Sequence, residues 1–389
     1  ASRRMTSSAT SCDMQLFSDL HIHSCFSIAS SKNMLPGALL ASCRKKGIGI
    51  LGSGDALHAG WRDLWREALR SETDVLVVPT TEVEDQDRVH HLIVLDSFDR
   101  CRELEARLAP HAGNLHRTGR PRINLPGEAI ARAVHAAEGL VGPAHAFTPW
   151  TSLYASFDSP GECYGEEPVD FLELGLSADN SYGTAIPELA GIPFLTNSDA
   201  HSPDPARLGR EFTGLTIREK TPGGVIDAIR EGSIFLNAGF FPEQGKYSRT
   251  ACSRCFRQFS RTEAEAARWK CPDDGGKITR GVADRAAGLS TGQPTERPPY
   301  LHIIPLPEII RTVLCTSSPA TRSCRELYDR FIGAFGDEIR VLTTVPVGEL
   351  ALVDDRVARA VDAFRSSRVH LVPGGGGRYG SFSFFESER

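Results

Sequence analysis

The chain has 389 residues, a formal net charge of −5 and a hydrophobic fraction of 40%, which are ordinary values for a globular protein of two or three domains. No apolar run approaches the roughly 20 residues of a membrane-spanning helix, and residues 1–13 hold no apolar segment typical of a secretory signal. Of the ten cysteines, three cluster with the spacing of metal ligands, and the others are scattered. We therefore expect a cytoplasmic monomer that does not bind a membrane.

Short apolar segments alternate with helical segments over residues 14–245, which favours an α/β domain. The predicted strands are 16–17, 48–51, 75–78, 89–95, 140–142, 171–174, 192–195 and 233–237. The predicted helices are 35–46, 61–69, 100–109, 126–137 and 225–230. Only a short polar link precedes segment 89–95, so we expect an added strand or hairpin there. The seven remaining strand–helix steps predict a parallel sheet that forms a closed or distorted barrel.

The composition changes at residue 246 and predicts a small second domain, residues 246–287. Residues 246–285 hold ten Lys and Arg but five Asp and Glu, and a basic insert in an acidic chain suggests a polyanionic partner. Thiolates on two tight turns are typical of a zinc ribbon. The candidate zinc ligands, with an aspartate where a fourth cysteine is expected, are Cys252, Cys255, Cys271 and Asp274. The alternative is a ribbon that has lost its metal and is held by aromatic packing.

A linker rich in Pro, Gly and Thr leads into a third region, residues 288–372, which we expect to be mainly helical. Its predicted helices are 309–313, 324–335 and 355–366. The glycine run 374–377 lacks the lysine and the following helix of a phosphate-binding loop. We expect it to end regular structure and to begin a flexible tail, residues 373–389.

The tail contains three phenylalanines, Phe382, Phe384 and Phe385. Exposed aromatic side chains cost free energy unless something covers them. One alternative is that they pack on the C-terminal region of the same chain. The other is that they bind a sliding clamp on DNA, since a terminal aromatic pair is similar to the motifs by which repair enzymes bind such clamps.

Histidines and carboxylates follow the predicted strands, where a barrel of parallel strands gathers its catalytic side chains. The candidate metal ligands are His21, His23, Asp55, Glu82, His91, His145, Asp199 and His201. Glu84 and His90 are near alternatives to Glu82 and His91. This number of ligands suits two or three ions, and mixed imidazole and carboxylate ligation suits zinc, manganese or iron better than calcium. Such a cluster is suited to phosphodiester hydrolysis.

Three short motifs resemble the polymerase-and-histidinol-phosphatase (PHP) superfamily of metal phosphoesterases: DLHIHS at 19–24, PAH at 143–145 and NSDAH at 197–201. Four further segments and the cysteine-rich insert resemble the archaeal endonuclease Q family within it. They are VHHL at 89–92, GPAHAFTPW at 142–150, FLELGLSA at 171–178 and HSP at 201–203. The resemblance implies a distorted (β/α)7 barrel and a DNA repair endonuclease. It also implies cleavage 5′ of deaminated bases (uracil, hypoxanthine, xanthine) or abasic sites.

The resemblance also implies how the ligands divide among the ions. His21, His23, Glu82 and Asp199 would serve one ion, and Glu82 would bridge to a second ion that His91 and His145 bind. Asp55 and His201 would help at the remaining position. We expect zinc in this cluster, with magnesium or manganese required for activity. Glu82, Asp199 and His201 are the expected catalytic residues.

Further residues are candidates for binding damaged DNA. Lys32, Arg207 and Arg210 lie near the candidate ligands in sequence and could hold phosphate. Phe147, Trp150 and Tyr154 follow His145 and could stack on an extruded base. Arg254 and Arg257 belong to the basic insert. The alternatives are solvated surface charges for the cations and packing of the loop for the aromatic residues.

The sequence is compatible with two other functions. A PHP-type phosphomonoesterase would share the metal ligands but would not need a basic ribbon or a long C-terminal region. A non-catalytic DNA-binding scaffold with a decayed site is the other possibility. The intact ligand set argues against decay, because decay would be expected to break some of those positions first.

Overall fold

The computed structural model describes residues 13–384. Its strands are β1 Met14–Asp19, β2 Ile50–Gly52, β3 Leu76–Val78, β4 Thr80–Glu84, β5 His90–Val94, β6 Leu140–Pro143, β7 Leu172–Glu173, β8 Phe194–Leu195, β9 Phe212–Ile217, β10 Ile234–Gly239, β11 Ala251–Cys252, β12 Ile278–Thr279, β13 Tyr300–His302, β14 His370–Val372 and β15 Ser381–Ser383. Its α-helices are α1 Pro36–Lys46, α2 Ala59–Ala68, α3 Phe98–Leu108, α4 Gly127–His135, α5 Leu153–Ser156, α6 Pro160–Tyr164, α7 Pro222–Arg230, α8 Arg261–Ala266, α9 Val282–Leu289, α10 Leu306–Val313, α11 Arg322–Phe335, α12 Glu338–Thr343, α13 Val347–Val353 and α14 Asp355–Arg365. Within the described range, no helix is long and apolar enough to cross a membrane.

Helices and sheets together confirm the predicted α/β class. The largest sheet has the order β13-β10-β9-β1-β2-β3, beside a three-stranded sheet β4-β5-β6 and a pair β7-β8. Strands β1, β2 and β3 are parallel, as are β7 and β8. The predicted hairpin is confirmed, because β5 pairs antiparallel with β4.

The prediction of a parallel sheet, made for the strands other than the hairpin, is correct only in part. Strands β4, β5 and β6 are antiparallel, and β9 is antiparallel to both β1 and β10. The turn between β4 and β5 is too short for the crossover connection that parallel neighbours need. Strand β9 was missed by the sequence prediction, although it makes a long pairing with β1.

Hydrogen bonds outside the strands connect the three-stranded sheet to the β7-β8 pair, and that pair to the largest sheet. The Asp170 amide donates to the Val141 carbonyl, which links β6 to the segment before β7. Beyond the last residues of β1 and β8, Ile22 forms a parallel bridge with Ala200. These connections bring the ends of β1, β4, β6, β7 and β8 to one side of the domain.

The C-terminal helices are packed on the N-terminal domain through a shared core. That core includes α1 and α2 side chains, such as Leu39 and Trp65, together with C-terminal residues such as Phe331 and Val361. A buried ion pair connects the two regions, with Lys46 Nζ 2.8 Å from a carboxylate oxygen of Glu338. The predicted helical character of residues 288–372 agrees with α10 to α14.

The cysteine-rich insert has its own small core and a short antiparallel pair, β11 with β12. Its helix α8 begins at a capping box, in which Ser260 and Glu263 each bond the other's backbone amide. These local hydrogen bonds fix the start of the helix without help from the rest of the chain.

The prediction that regular structure ends at the glycine run is wrong. Strand β15 lies beyond that run and pairs antiparallel with β14. Phe384 is buried in the same core as the C-terminal helices, and Phe382 packs against it. Phe385 lies outside the described residues. Two of the three tail phenylalanines therefore pack on their own chain, which is the first of the two alternatives.

Candidate metal centre and active site

Six of the predicted ligands and one near alternative lie together at the strand ends. They are His21, His23, Glu82, His90, His145, Asp199 and His201. Three overlapping groups have donor atoms within 4.8 Å of one another: His21, His23 and Glu82; His23, Asp199 and His201; and Glu82, His90 and His145. The shared members Glu82 and His23 join the groups into one cluster, which we call the histidine cluster.

Glu82 lies at the centre of the histidine cluster and is fully buried on β4. Its Oε1 atom is 2.7 Å from Nδ1 of His90 and 3.1 Å from Nε2 of His145. Its Oε2 atom is 3.4 Å from Nε2 of His23. The same His23 nitrogen lies 3.1 Å from Oδ1 of Asp199. A carboxylate surrounded in this way is suited to bridging two cations.

Two buried carboxylates orient the first two histidines of the cluster. Nδ1 of His21 donates to Glu173 at 2.9 Å, and Nδ1 of His23 donates to Asp55 at 3.2 Å. The Nε2 atoms of both rings therefore point towards Glu82 and Asp199. Histidine ligands of metal ions are typically held in this way by a carboxylate on the other ring nitrogen.

The residues present fit metal binding by an independent criterion. Among the described side chains, Nε2 of His21 is buried without a hydrogen-bond partner. Leaving a buried polar atom unpaired costs about 1–3 kcal/mol. A metal ion at this position would remove that cost, since a neutral imidazole nitrogen is a common metal ligand.

The local charges favour a cation in the cluster. Burial raises the pKa of the Glu82 carboxyl, but the charges of His90 and His21 and a hydrogen bond from His145 outweigh burial and hold that pKa well below its ordinary value. Burial lowers the pKa of His23, but hydrogen bonds to Asp199 and Asp55 outweigh it and raise that pKa to about 9. The carboxylates are thus ionised, and they stabilise positive charge on the imidazoles.

Three residues of the site have a strained backbone. Asp55, His145 and Asp199 adopt positive φ angles of 48°, 33° and 47°, which non-glycine residues rarely do. Such strain persists only where the surrounding structure enforces it, and it concentrates at functional sites. The strand ends therefore hold these side chains at a cost to backbone energy.

The structure places His90, and not the predicted His91, against Glu82 and His145. Successive residues of a strand face opposite sides of the sheet, so the two histidines cannot share one site. Both ring nitrogens of His91 have other partners, Asp85 Oδ2 at 3.1 Å and the Tyr164 hydroxyl at 2.7 Å. Cys163 lies beside this second buried group.

Asp55 does not join the three ligand groups. Its Oδ2 accepts hydrogen bonds from the Ser24 amide, the Ser24 hydroxyl and the Ser27 hydroxyl. Asp55 is therefore a positioning residue for His23 and for the loop that follows it. Glu173, which the sequence analysis did not single out, has the same role for His21.

Arg120 is a second group that sequence reasoning missed. Its guanidinium donates to Glu82 Oε2 at 3.1 Å, and its side chain is partly exposed. The preceding residue, Gly119, allows the loop to approach the site closely, because a Cβ at that position would lie 1.9 Å from Asp55 Oδ2. Arg120 belongs to a loop without hydrophobic periodicity, so nothing in the sequence pattern marks it.

The predicted DNA-binding residues fall into different surroundings. Arg207 and Arg210 line an open cavity of about 570 Å³ together with Asp199 and His201. Lys32 is exposed. Phe147 and Tyr154 are each 2% exposed, which favours the alternative that they pack the loop, and their stacking on a base stays a prediction.

Trp150 is the accessible member of the aromatic loop, with 46% of its surface exposed. The ammonium group of Lys277, on the insert, lies 5.1 Å from the centroid of the Trp150 ring. A cation over an aromatic face is an attractive contact. The insert and the aromatic loop therefore meet at a surface that is both basic and aromatic.

The four predicted ribbon ligands converge. Sγ of Cys252 is 3.4 Å from Oδ1 of Asp274, and Sγ of Cys255 is 3.7 Å from Sγ of Cys271. Donor atoms of all four lie within 4.8 Å of one another. We call this group the ribbon cluster; three thiolates and a carboxylate are a chemically suitable donor set for zinc.

Comparison with known proteins gives full-length matches. The structure aligns with the lesion-specific endonuclease PfuEndoQ from Pyrococcus furiosus with a TM-score of 0.90 and 41% identity, covering 96% of each chain. A structure of endonuclease Q in complex with a 27-mer duplex substrate, with an abasic lesion at the active site, aligns with a TM-score of 0.90 and 41% identity. That match covers 96% of this chain and 97% of the other.

Sequence relatives agree with the structural matches. The uncharacterized protein YqxK of Bacillus subtilis is 30% identical over 94% of this chain and 98% of its own length. The uncharacterized protein MJ0043 of Methanocaldococcus jannaschii is 44% identical over 61% of this chain, and this match spans 31% of that protein. Residues 305–368 match the MJ0043 C-terminal domain family. The full-length matches at 41% and 30% identity show that the chain belongs to the endonuclease Q family.

Proposed function

We propose that the protein is a metal-dependent DNA endonuclease that hydrolyses the phosphodiester 5′ of a damaged nucleotide. The damaged nucleotide would carry uracil, hypoxanthine or xanthine, or would be an abasic site. The observation that carries the proposal is the histidine cluster, in a chain that matches a lesion-specific endonuclease along 96% of its length. The abasic duplex bound by the related endonuclease Q supports damaged DNA as the substrate.

The histidine cluster is proposed to bind two or three ions, zinc with magnesium or manganese for activity. The proposed ligands are His21, His23, Glu82, His90, His145, Asp199 and His201. Bound metal ions supply Lewis-acid chemistry to a phosphodiester and stabilise developing negative charge. Glu82, with both carboxylate oxygens in contact with histidines, is the proposed bridge between ions.

The remaining residues of the site orient ligands and hold phosphate. Asp55 and Glu173 keep the two rings that they contact turned with Nε2 towards the cluster. Arg120 stays protonated beside Glu82, where it offsets part of the negative charge. Arg207 and Arg210 line the cavity beside Asp199, and we assign them contacts to phosphate oxygens next to the scissile bond.

The ribbon cluster is proposed to bind one structural zinc ion, and the insert to contact the DNA backbone. The excess of basic over acidic residues in the insert, and the exposure of Arg254 and Arg257, support contact with the DNA backbone. For the N-terminal domain we propose a distorted barrel of the PHP type, which the connected sheet edges support. The protein is proposed to act as a monomer on damaged DNA.

Binding to a sliding clamp loses most of its support. The clamp hypothesis rests on a terminal aromatic pair, and Phe384 of that pair is buried in the core, with Phe382 packed against it. The hypothesis is left with Phe385, which lies outside the described residues. We therefore propose DNA as the principal partner.

One experiment separates the proposed function from its alternatives. The protein is incubated with Mg²⁺, Mn²⁺ or Zn²⁺ and duplex oligonucleotides that contain uracil, hypoxanthine, an abasic site or no lesion. We expect a nick on the 5′ side of each lesion and an intact undamaged duplex. Hydrolysis of a small phosphomonoester without nicking would identify a phosphomonoesterase, and binding without any cleavage would identify a scaffold.

A further inference from the structure

The loop between β1 and α1 presents an apolar side chain to solvent beside the histidine cluster. Ile28 is 76% exposed. The three residues that follow it, 29–31, line the same open cavity as Asp199 and His201. Ile28 is thus at the edge of the cavity in which we place the scissile phosphate.

This loop is held firmly on both sides. The Ser27 hydroxyl donates to Asp55 at 2.8 Å, and the Ser31 amide donates to the His201 carbonyl at 2.8 Å. Phe26 stacks on the ring of His58, with 4.0 Å between ring centroids. Ile28 lies between these fixed points. Because the loop backbone is already ordered, binding of a ligand to Ile28 costs little further conformational entropy of the loop.

The loop is also connected to the metal ligands through Asp55. The same carboxylate that binds Ser24 and Ser27 orients the imidazole of His23. The Gly119 amide donates to the Phe26 carbonyl at 3.2 Å, next to Arg120, whose guanidinium contacts Glu82. Movement of the loop would therefore disturb the histidine cluster, and these contacts hold the backbone on either side of Ile28 in a fixed position relative to that cluster.

Given the proposed function, we propose that Ile28 is a wedge that enters the base stack of duplex DNA when the damaged nucleotide is extruded. An enzyme that acts at a base within a duplex must unstack it, which costs a few kcal/mol. Aliphatic side chains such as isoleucine fill the gap between base pairs in other DNA-bending proteins. The arginines of the cavity would hold the backbone while Ile28 takes the place of the extruded base.

The surrounding charges favour DNA over a protein partner for this side chain. Lys32 belongs to the loop, and Arg207 and Arg210 line the cavity; these cations suit a phosphate backbone on either side of an inserted residue. A purely apolar protein interface would require these charges to be buried without partners.

The test compares Ile28→Ala with the intact protein on lesions that differ in extrusion cost. On uracil paired within a duplex, the variant is expected to nick about tenfold more slowly, because it loses contacts worth part of the unstacking energy. On uracil in single-stranded DNA the loss should be about twofold or less, since no neighbouring pair must be separated. Ile28→Leu should retain the paired-duplex rate.

Leu352→Ala is the matched control, because Leu352 is also a highly exposed aliphatic residue, 86% accessible, on α13. It is expected to leave both rates unchanged. Equal loss by Ile28→Ala on paired and single-stranded uracil, or no loss on either, would overturn the wedge.

A second measurement does not depend on cleavage. In an Asp199→Asn background, 2-aminopurine placed next to the lesion should become brighter on binding, and Ile28→Ala should remove most of that increase. If Ile28→Ala leaves the fluorescence increase unchanged, the wedge proposal is overturned. A smaller increase in the Ile28→Ala variant supports the proposal. If the intact protein nicks none of the lesions, the proposed endonuclease function is wrong. The fluorescence comparison still tests the role of Ile28 in that case.

Discussion

The histidine cluster and the ribbon cluster are two candidate metal sites built in opposite ways. Ligands of the first come from several strand ends between His21 and His201, and large hydrophobic cores hold those strands. Ligands of the second lie within residues 252–274, and two of them belong to a core of five buried residues. Packing can form the first site without metal, whereas we expect the ribbon, with its small core, to depend on metal for its fold. Metal loss should therefore stop catalysis at one site and unfold the other.

The largest effect is expected at the histidine cluster from Asp199→Asn. This change removes the carboxylate charge, and it should lower the nicking rate by more than about a hundredfold, because a metal ligand contributes several kcal/mol to transition-state stabilisation. The thermal unfolding midpoint and the affinity for an abasic duplex should stay close to the original values. Cleavage within about tenfold of the unchanged protein would remove Asp199 from the active site.

A pair of adjacent histidines tests which face of β5 belongs to the cluster. His90→Ala should lower nicking by about 10–100-fold, the usual cost of disturbing a metal site, with little change in unfolding temperature. His91→Ala should instead lower stability by about 1–3 kcal/mol, since it removes a hydrogen-bond partner from one buried oxygen of Asp85 and from the Tyr164 hydroxyl.

Each histidine variant is the control for the other, because both side chains are buried on the same strand. Nicking rate and thermal unfolding are measured on the same preparations. The reverse pattern, with His91 required for cleavage and His90 for stability, would restore the sequence prediction of His91 as the ligand.

The sequence predicted the strand-end histidines because their pattern is local. His21 and His23 follow an apolar segment and are two residues apart, so their common direction follows from the strand period alone. The choice between His90 and His91 needed the register of β4 with β5, which places Glu84 opposite His90. A shift of one residue in that register exchanges the two faces.

Other features of the site depend on contacts between distant segments. Glu173 is part of an apolar strand, and its role appears only when β7 is next to β1 and β6. Strand β9 runs antiparallel to its neighbour β1. A simple alternation of strands and helices in the sequence does not indicate this antiparallel pairing. The α/β class and most members of the histidine cluster were therefore predictable from the sequence, whereas Glu173 and Arg120 were not.

An intermediate effect is expected at the ribbon from Cys271→Ser. The variant should lose one equivalent of zinc and show faster hydrogen exchange across residues 250–280, because the small core cannot compensate for the metal. Its affinity for DNA should fall, while the main unfolding transition of the molecule stays unchanged.

Cys315→Ser is the control, since Cys315 is an exposed cysteine outside the ribbon. Metal content by mass spectrometry and exchange by peptide mapping give the two readouts. Unchanged zinc content and exchange in Cys271→Ser would mean that packing alone holds the ribbon, and the contrast between the two clusters would fail.

The smallest effect concerns charges at the ribbon surface. The guanidinium of Arg257 is paired with Asp273 at 2.8 Å, whereas that of Arg254 reaches a backbone carbonyl at 3.4 Å and is free to contact phosphate. Arg254→Ala should therefore reduce the slope of log K against log salt by about one unit, the value for one lost phosphate contact. Arg257→Ala should reduce this slope by less. Because Arg257 is already paired with Asp273, it neutralises less phosphate charge and displaces fewer counterions from the DNA.

The slope is measured by fluorescence anisotropy of an abasic duplex over a series of salt concentrations. Arg322→Ala is the charge-matched control, since Arg322 is exposed on α11 and paired with Glu326. Its slope should equal that of the unchanged protein. An unaltered slope in Arg254→Ala would show that this arginine faces solvent, and the ribbon would then contribute to the protein through zinc-dependent folding and not through phosphate contacts.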